Sequence, residues 1–242
     1  MAVPVLPRIL PCGDAALTVE FGSDIDPAVS NRVLALDKAI AVSGHPALRE
    51  TVPTYRSLLI YYDPVIAGFD ALSALIGELT RDLPATIAAG RHWRVPVVYG
   101  GEHGIDLADV AQRAGMSEAE VVRRHTASRY RVYMLGFLPG FSYLGGLDPS
   151  LSTPRRDDPR LFTPSGTISI GGIQAGIQCL EGPSGWHLLG RTPVRTYHPS
   201  REPMFLIAPG DEVTFFAIPP ADWNALDAAA AAGDPVAEII TP

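Results

Sequence analysis

The chain has 242 residues, of which 47% are apolar and 19% charged, with a net charge of −7. That length allows one large domain or two small ones, and the composition allows a sizeable core and argues against disorder. The acidic balance speaks against non-specific nucleic-acid binding, which needs a basic face. No apolar run reaches the roughly 18 residues of a membrane span. The first ten residues, MAVPVLPRIL, lack the charged start and long apolar core of a signal peptide. A soluble cytoplasmic protein is expected. Of the 19 basic residues all but Lys38 are arginine, and Lys38 falls in an apolar-periodic segment, so the chain carries no GxxxxGK[ST] phosphate loop. Cys12 and Cys179 stand far apart without metal-ligand spacing and read as free thiols.

Residues 1–98 read as a compact α+β unit. Ala15 to Phe21 alternates like a strand. Asp26-Pro27 then offers a helix cap followed by Pro in the first turn, with Val29, Val33, Leu36 and Ile40 at helical spacing and Gly44 at the stop. Leu48 to Val52 and Tyr55 to Tyr62 read as two strands. Phe69, Leu72, Leu75, Ile76 and Leu79 mark a second helix that ends before Pro84, and Arg91 to Val98 reads as a last strand. The order β-α-β-β-α-β predicts a ferredoxin-like fold.

Tyr99-Gly100-Gly101 marks a boundary, and residues 99–242 form the second expected domain. Two short helices come first. One runs from Asp106 to Ala114, and the other starts at Ser117 with Glu120 three residues on, a capping-box pattern. From Arg131 the pattern changes to short strands between turns: 131–137, 166–170, 175–180, 186–190, 204–207 and 212–218. Such spacing predicts a closed or nearly closed β-barrel. Asp222 to Ala232 should be a terminal helix.

Four motifs lie between Tyr130 and Thr192. In FLPGFSYLGG at 137–146, Pro-Gly signals a type II turn that gathers three aromatics, either as a pocket or as a core cap. In TPRRDDPR at 153–160, three guanidiniums stand beside two carboxylates, either as an anion site or as a self-neutralised loop. In TISIGGIQAGIQ at 167–178, Gln174 sits among glycines and could present its amide to a ligand or satisfy a bulge. EGPSGWH at 181–187 and GRTP at 190–193 offer Glu181, His187 and Arg191. Ser184 has no assignable His–Asp partner and is a poor nucleophile candidate.

Together these motifs, with GDAALTVEFG at 13–22 and PGDEVTF at 209–215, resemble the family of the 5-oxoprolinase B subunit, also called allophanate hydrolase subunit 1 or the KipI-type sporulation-kinase-inhibitor family. The resemblance spans nearly the whole chain. It implies an α+β fold: a ferredoxin-like N-terminal domain followed by a cyclophilin-like β-barrel. It implies two partners of the 5-oxoprolinase complex, the C subunit (allophanate hydrolase subunit 2, KipA type) and the A subunit. It also implies ATP-dependent opening of 5-oxo-L-proline to L-glutamate by the complex, with ATP bound here or on a partner. Alternatives within the family are a urea-carboxylase-type carboxyltransferase half, which needs a biotin carrier, and a non-enzymatic inhibitor of a sensor histidine kinase.

Opening an unreactive lactam with ATP develops charge on phosphate and on oxygen, which calls for positioned arginines and N–H donors. On this reading Arg155, Arg160 and Arg191 bind anions, and Arg191 with His187 is the catalytic expectation. Pro139, Gly140, Phe141 and Gln174 orient the substrate, while Tyr143 and Trp186 wall the pocket. No metal site is expected.

Overall fold

The structure is a computed structural model that describes residues 7–84 and 90–240. Residues 1–6, read above for a leader, lie outside them. The chain divides into two compact units between Ala89 and Gly90.

The first unit contains β1 (Arg8–Pro11), β2 (Ala16–Glu20), α1 (Pro27–Ser43), β3 (Leu48–Pro53), β4 (Ser57–Tyr62) and α2 (Phe69–Arg81). The Asp26 carboxylate accepts the Ala28 and Val29 N–H groups and starts α1, and Gly44 stops it at φ 59°. The strands form an antiparallel sheet in the order β1-β2-β4-β3. Leu17, Val19, Leu58 and Ile60 meet Val33 and Leu36 from α1 and Leu72 and Ile76 from α2, and all eight are essentially inaccessible.

The expected sixth element of this unit is not there. The strand read at 91–98 belongs to the second unit, and the fourth strand of the sheet comes from the N-terminal side as β1. Burial explains the assignment. His92–Tyr99 is buried along most of its length, with Trp93, Val95, Val97 and Val98 all enclosed. A strand covered on both faces suits the wall of a closed barrel, not a sheet edge.

The second unit opens with that strand, β5 (His92–Tyr99), followed by α3 (Leu107–Ala114), α4 (Glu118–Ala127), β6 (Tyr130–Leu135) and β7 (Ser142–Gly145). Then come β8 (Arg160–Thr163), β9 (Thr167–Gly171), β10 (Gln174–Gln178), β11 (Gly182–Ser184), β12 (His187–Arg191), β13 (Glu212–Ala217), α5 (Trp223–Ala231) and β14 (Glu238–Ile240). Seven strands close on themselves in the order β12-β9-β10-β7-β6-β13-β5, with β5 returning to β12, while β14 extends β5. Closure leaves the barrel wall without a free edge. Ile168, Ile170, Ala175 and Ile177 of β9 and β10 join the enclosed core. The alternate positions Gly171, Gln174 and Gly176 therefore face outward.

The buried Asp211 carboxylate fastens the start of β13 to the start of β5. It accepts from the Arg91 backbone and guanidinium (2.9 and 2.8 Å), from the Trp93 indole (2.9 Å) and from Ala208 N (3.0 Å). Both short helices appear as expected, with Ser117 Oγ accepting from Glu120 N, although the Glu120 carboxylate turns to Arg123 and Arg124. The strand expected at 204–207 is absent. That stretch makes only an isolated bridge, Tyr197 to Phe205, flanked by His198 N donating to Met204 O and Leu206 N donating to Thr196 O, and Pro203 beside it lacks a donor to extend the pairing. Outside the barrel, β8 and β11 form a separate two-stranded ribbon. No helix among the described residues is long and apolar enough to cross a membrane.

Candidate functional site

The connection between β6 and β7 makes two tight turns in succession. Phe141 N donates to Leu138 O at 3.0 Å with Gly140 at φ 76°, the type II turn that Pro139-Gly140 signals. Just before it, Leu138 N donates to Gly136 O at 2.9 Å and encloses Phe137 at φ 69°. This is a γ-turn of the rare positive-φ kind, costing on the order of 1–3 kcal/mol for a residue with a side chain. Thr196 Oγ1 holds the turn by donating to Gly140 O at 2.6 Å. A Cβ on Gly140 would stand 2.7 Å from Tyr197 Cβ, so only glycine fits this position. The outcome is a half-exposed Phe137 beside a buried Phe141.

Three rings cover the outer face of β10. Phe141 packs on Tyr143 (centroids 4.7 Å apart), and Trp186 stands edge-on to both at 6.0 Å. Glycines make room for them. A Cβ on Gly171 would meet the Trp186 ring at 2.8 Å, and one on Gly176 would meet Phe141 and Trp186 at 3.1 Å. Gln174 lies on the same face, two residues before Gly176, and its amide has no side-chain hydrogen bond among the described residues. Burial raises the Tyr143 phenol above its usual range against the opposing pull of Arg155, so Tyr143 remains a neutral donor.

The arginine loop, residues 153–160, is fastened at Thr153, Pro154, Arg156 and Arg160. Thr153 pairs with Gly172, the His187 ring nitrogen Nε2 lies 2.9 Å from Pro154 O, and Arg156 N donates to Gly185 O. Arg160 donates twice to the Asp106 carboxylate, at 2.9 and 2.6 Å, and the Arg156 guanidinium lies 3.6 Å from the same group. Asp106 itself is buried and also accepts Leu188 N at 2.8 Å. Two of the three loop arginines therefore share one buried carboxylate. Arg155 has no carboxylate partner among the described residues, and its guanidinium lies 5.6 Å over the Trp186 ring.

These parts enclose a cleft of about 340 Å³ lined by Phe137, Phe141, Tyr143, Arg155, Arg156 and Trp186, with Pro159, Pro183, Ser184 and Gly185 at its margin. Its walls are mostly aromatic, with an unpaired cation at the side. It suits a small ring carrying an anionic group.

Of the expected residues, the structure brings Phe141, Tyr143, Arg155 and Trp186 together. Pro139 and Gly140 shape the turn behind them, and Gln174 shares their face. Arg160 is engaged by Asp106. His187 is buried beneath the loop, with Nδ1 3.7 Å from Asp109. Arg191 points to another part of the barrel, donating to Ser165 O at 3.0 Å and stacking at 4.6 Å on Trp223. Sequence reasoning placed Phe137 and Arg156 in motifs but not among the site residues, and it missed Asp106. The loop's arginine excess was a signal for a buried countercharge, but nothing placed that charge some fifty residues upstream, at the start of α3.

The family model described as the carboxyltransferase domain, subdomain C and D, matches residues 7–207. The 5-oxoprolinase B subunit of Bacillus subtilis is 34% identical over 224 residues, covering 88% of this chain and 93% of that protein. The 5-oxoprolinase B subunit of Escherichia coli O157:H7 is 37% identical over 204 residues, covering 84% and 92%. The chain belongs to the family of the 5-oxoprolinase B subunit. Among solved structures, TTHA0988 superposes with a TM-score of 0.76 at 37% identity over 84% of this chain, which spans only 40% of that protein's length. The urea amidolyase of K. lactis shares the fold, with a TM-score of 0.81 at 19% identity over 97% of this chain and 16% of its own. The fold of this family thus recurs inside longer chains.

Proposed function

We propose that this chain is the B subunit of an ATP-dependent 5-oxoprolinase, opening 5-oxo-L-proline to L-glutamate together with the C and A subunits, and that its cleft takes the substrate. The observation that carries the assignment of the cleft is Arg155. It is a cation without a carboxylate partner among the described residues, held over Trp186 at the wall of an aromatic cleft. A lactam acid presents a carboxylate to such a guanidinium and a compact ring to the aromatic walls. Tyr143, kept neutral by its surroundings, and the free Gln174 amide supply donors that can hold the lactam oxygen where charge develops. His187 supports the arginine loop through Pro154, and Arg160 does so through Asp106.

The same cleft does not suit ATP. A triphosphate brings several negative charges and is held by many N–H donors or cations. Here Arg155 stands as the lone uncompensated arginine of the loop, and Arg156 already faces Asp106. The partner subunits are therefore the expected place of the nucleotide.

The test is reconstitution of the B, C and A subunits. Hydrolysis of ATP should depend on 5-oxo-L-proline and on the presence of all three, and a complete but inactive mixture overturns the reading. The carboxyltransferase description of the matching family model favours one alternative, carboxyl transfer from a biotin carrier. Activity that requires a biotinylated carrier protein and ignores 5-oxo-L-proline would select it.

A further inference from the structure

The ribbon of β8 and β11 exposes apolar side chains on consecutive positions. Leu161 is 93% exposed and Phe162 is 60% exposed. Successive strand residues point to opposite faces, so the ribbon carries one uncovered apolar side chain on each face. Its root, by contrast, is rigid. The buried Gln178 donates to Thr163 Oγ1 at 2.7 Å, and Thr163 Oγ1 lies 2.8 Å from Gly182 O. Leu138 packs so closely on the ribbon that a Cβ at Gly182 would stand 2.8 Å from its Cδ1. The ribbon is thus joined to the turn that carries Phe137, itself 60% exposed. Its far end supplies Pro183 and Ser184 to the cleft margin.

A rigid protrusion with uncovered large apolar side chains is an interaction surface. Two observations identify the occupant as a polypeptide. The match takes up 40% of TTHA0988 and 16% of the K. lactis urea amidolyase, so in those proteins the same fold is covalently joined to further polypeptide. Beside the ribbon, Asp157, Asp158 and Glu181 are exposed and without ion-pair partners among the described residues, which complements a basic rim. We propose that the β8–β11 ribbon is the docking arm for the C subunit of the complex, through an apolar patch with a cationic rim, and that docking there covers the mouth of the Arg155 cleft. The identity of that occupant rests on the functional reading above.

The test uses the full chain and the purified C subunit. The double variant Leu161→Asp, Phe162→Asp should weaken association at least about 30-fold, the size of a hot-spot loss, while circular dichroism and melting stay as in the parent. Independently, amide exchange at 160–163 in the unaltered chain should slow when the C subunit is added. Unchanged affinity in a folded double variant, unprotected amides, or failure of the two proteins to associate each overturns the proposal. An active B–C–A complex indifferent to the double variant removes the docking arm and leaves the function standing. A complex that needs the arm but has no 5-oxoprolinase activity does the reverse.

Discussion

The guanidinium of Arg155 stands 5.6 Å over the indole of Trp186, while Arg156 and Arg160 of the same loop face Asp106. This division of labour gives the loop one available cation. Arg155→Ala should raise KM for 5-oxo-L-proline about 10- to 100-fold in the reconstituted complex, the worth of a charge-assisted hydrogen bond. Melting should not change, because Arg155 is exposed. Arg155→Lys should recover only part of the loss, since lysine keeps the charge but not the planar fork. An unaltered KM in Arg155→Ala would remove the cleft assignment.

Asp106 carries a structural duty that activity assays alone would misread. Asp106→Ala leaves Arg160 and Arg156 without their buried countercharge and should destabilise the second unit by about 3 kcal/mol. Urea denaturation measures this directly. Combining it with Arg160→Met should restore part of the stability, because the orphaned charge is then gone. If the double variant is as unstable as the single one, the ion pair is not what Asp106 provides.

The glycines under Trp186 are a steric requirement. Gly171→Ala places a methyl 2.8 Å from the indole, which cannot yield as a flexible chain would. A cost of about 1–3 kcal/mol is expected, together with weaker substrate binding as the ring is pushed into the cleft. Gly172→Ala is the contrasting neighbour: it meets no atom within 4 Å but carries a φ of 60°, so its effect is backbone strain without a change in the ring. A crystal structure or Trp186 fluorescence separates the two.

His125 sets a pH dependence. Its ring is fully enclosed among Tyr99, Tyr130 and Phe215, with Nδ1 2.8 Å from the Tyr99 hydroxyl, and burial lowers its pKa to about 3. The unfolded chain takes up this proton near pH 6.5 while the folded chain refuses it, so stability falls as pH drops below about 6.5 and levels off only near the folded value. The slope should approach about 1.4 kcal/mol per pH unit at most. Between pH 6.5 and 5, above the range of most carboxylates, His125→Phe should flatten it. An unchanged slope would assign the acid sensitivity elsewhere.

Local chemistry was legible where it acts over a few residues. Asp26-Pro27 and Gly44 bound α1 because a cap and a left-handed stop need only their own neighbours. Pro139-Gly140 made its turn for the same reason. Partnership was not legible. Residues 91–98 read correctly as a strand, yet their partners lie at 212–217 and 238–240, and no local pattern states which sheet a strand will enter. The cleft divides the same way. Phe141, Tyr143, Arg155 and Trp186 were legible as neighbours because aromatic and cationic residues crowd a glycine-rich stretch. Arg160 was expected at the ligand because its carboxylate partner sits far upstream, and Phe137 was read only as one of three aromatics because nothing in its residue type announces the positive-φ turn that exposes it.

The Asp211 fastening has a consequence for how the chain is made. Asp211 and Arg91 are 120 positions apart, and the strands they anchor lie side by side in parallel. The second unit therefore begins with a strand whose neighbour is synthesised 120 positions later. Its barrel cannot close until β13 has emerged, whereas the first unit has all its strands by Tyr62. High contact order slows such closure. A ribosome-bound chain ending near residue 205 should hold a protease-resistant first unit beside an open, cleavable second one.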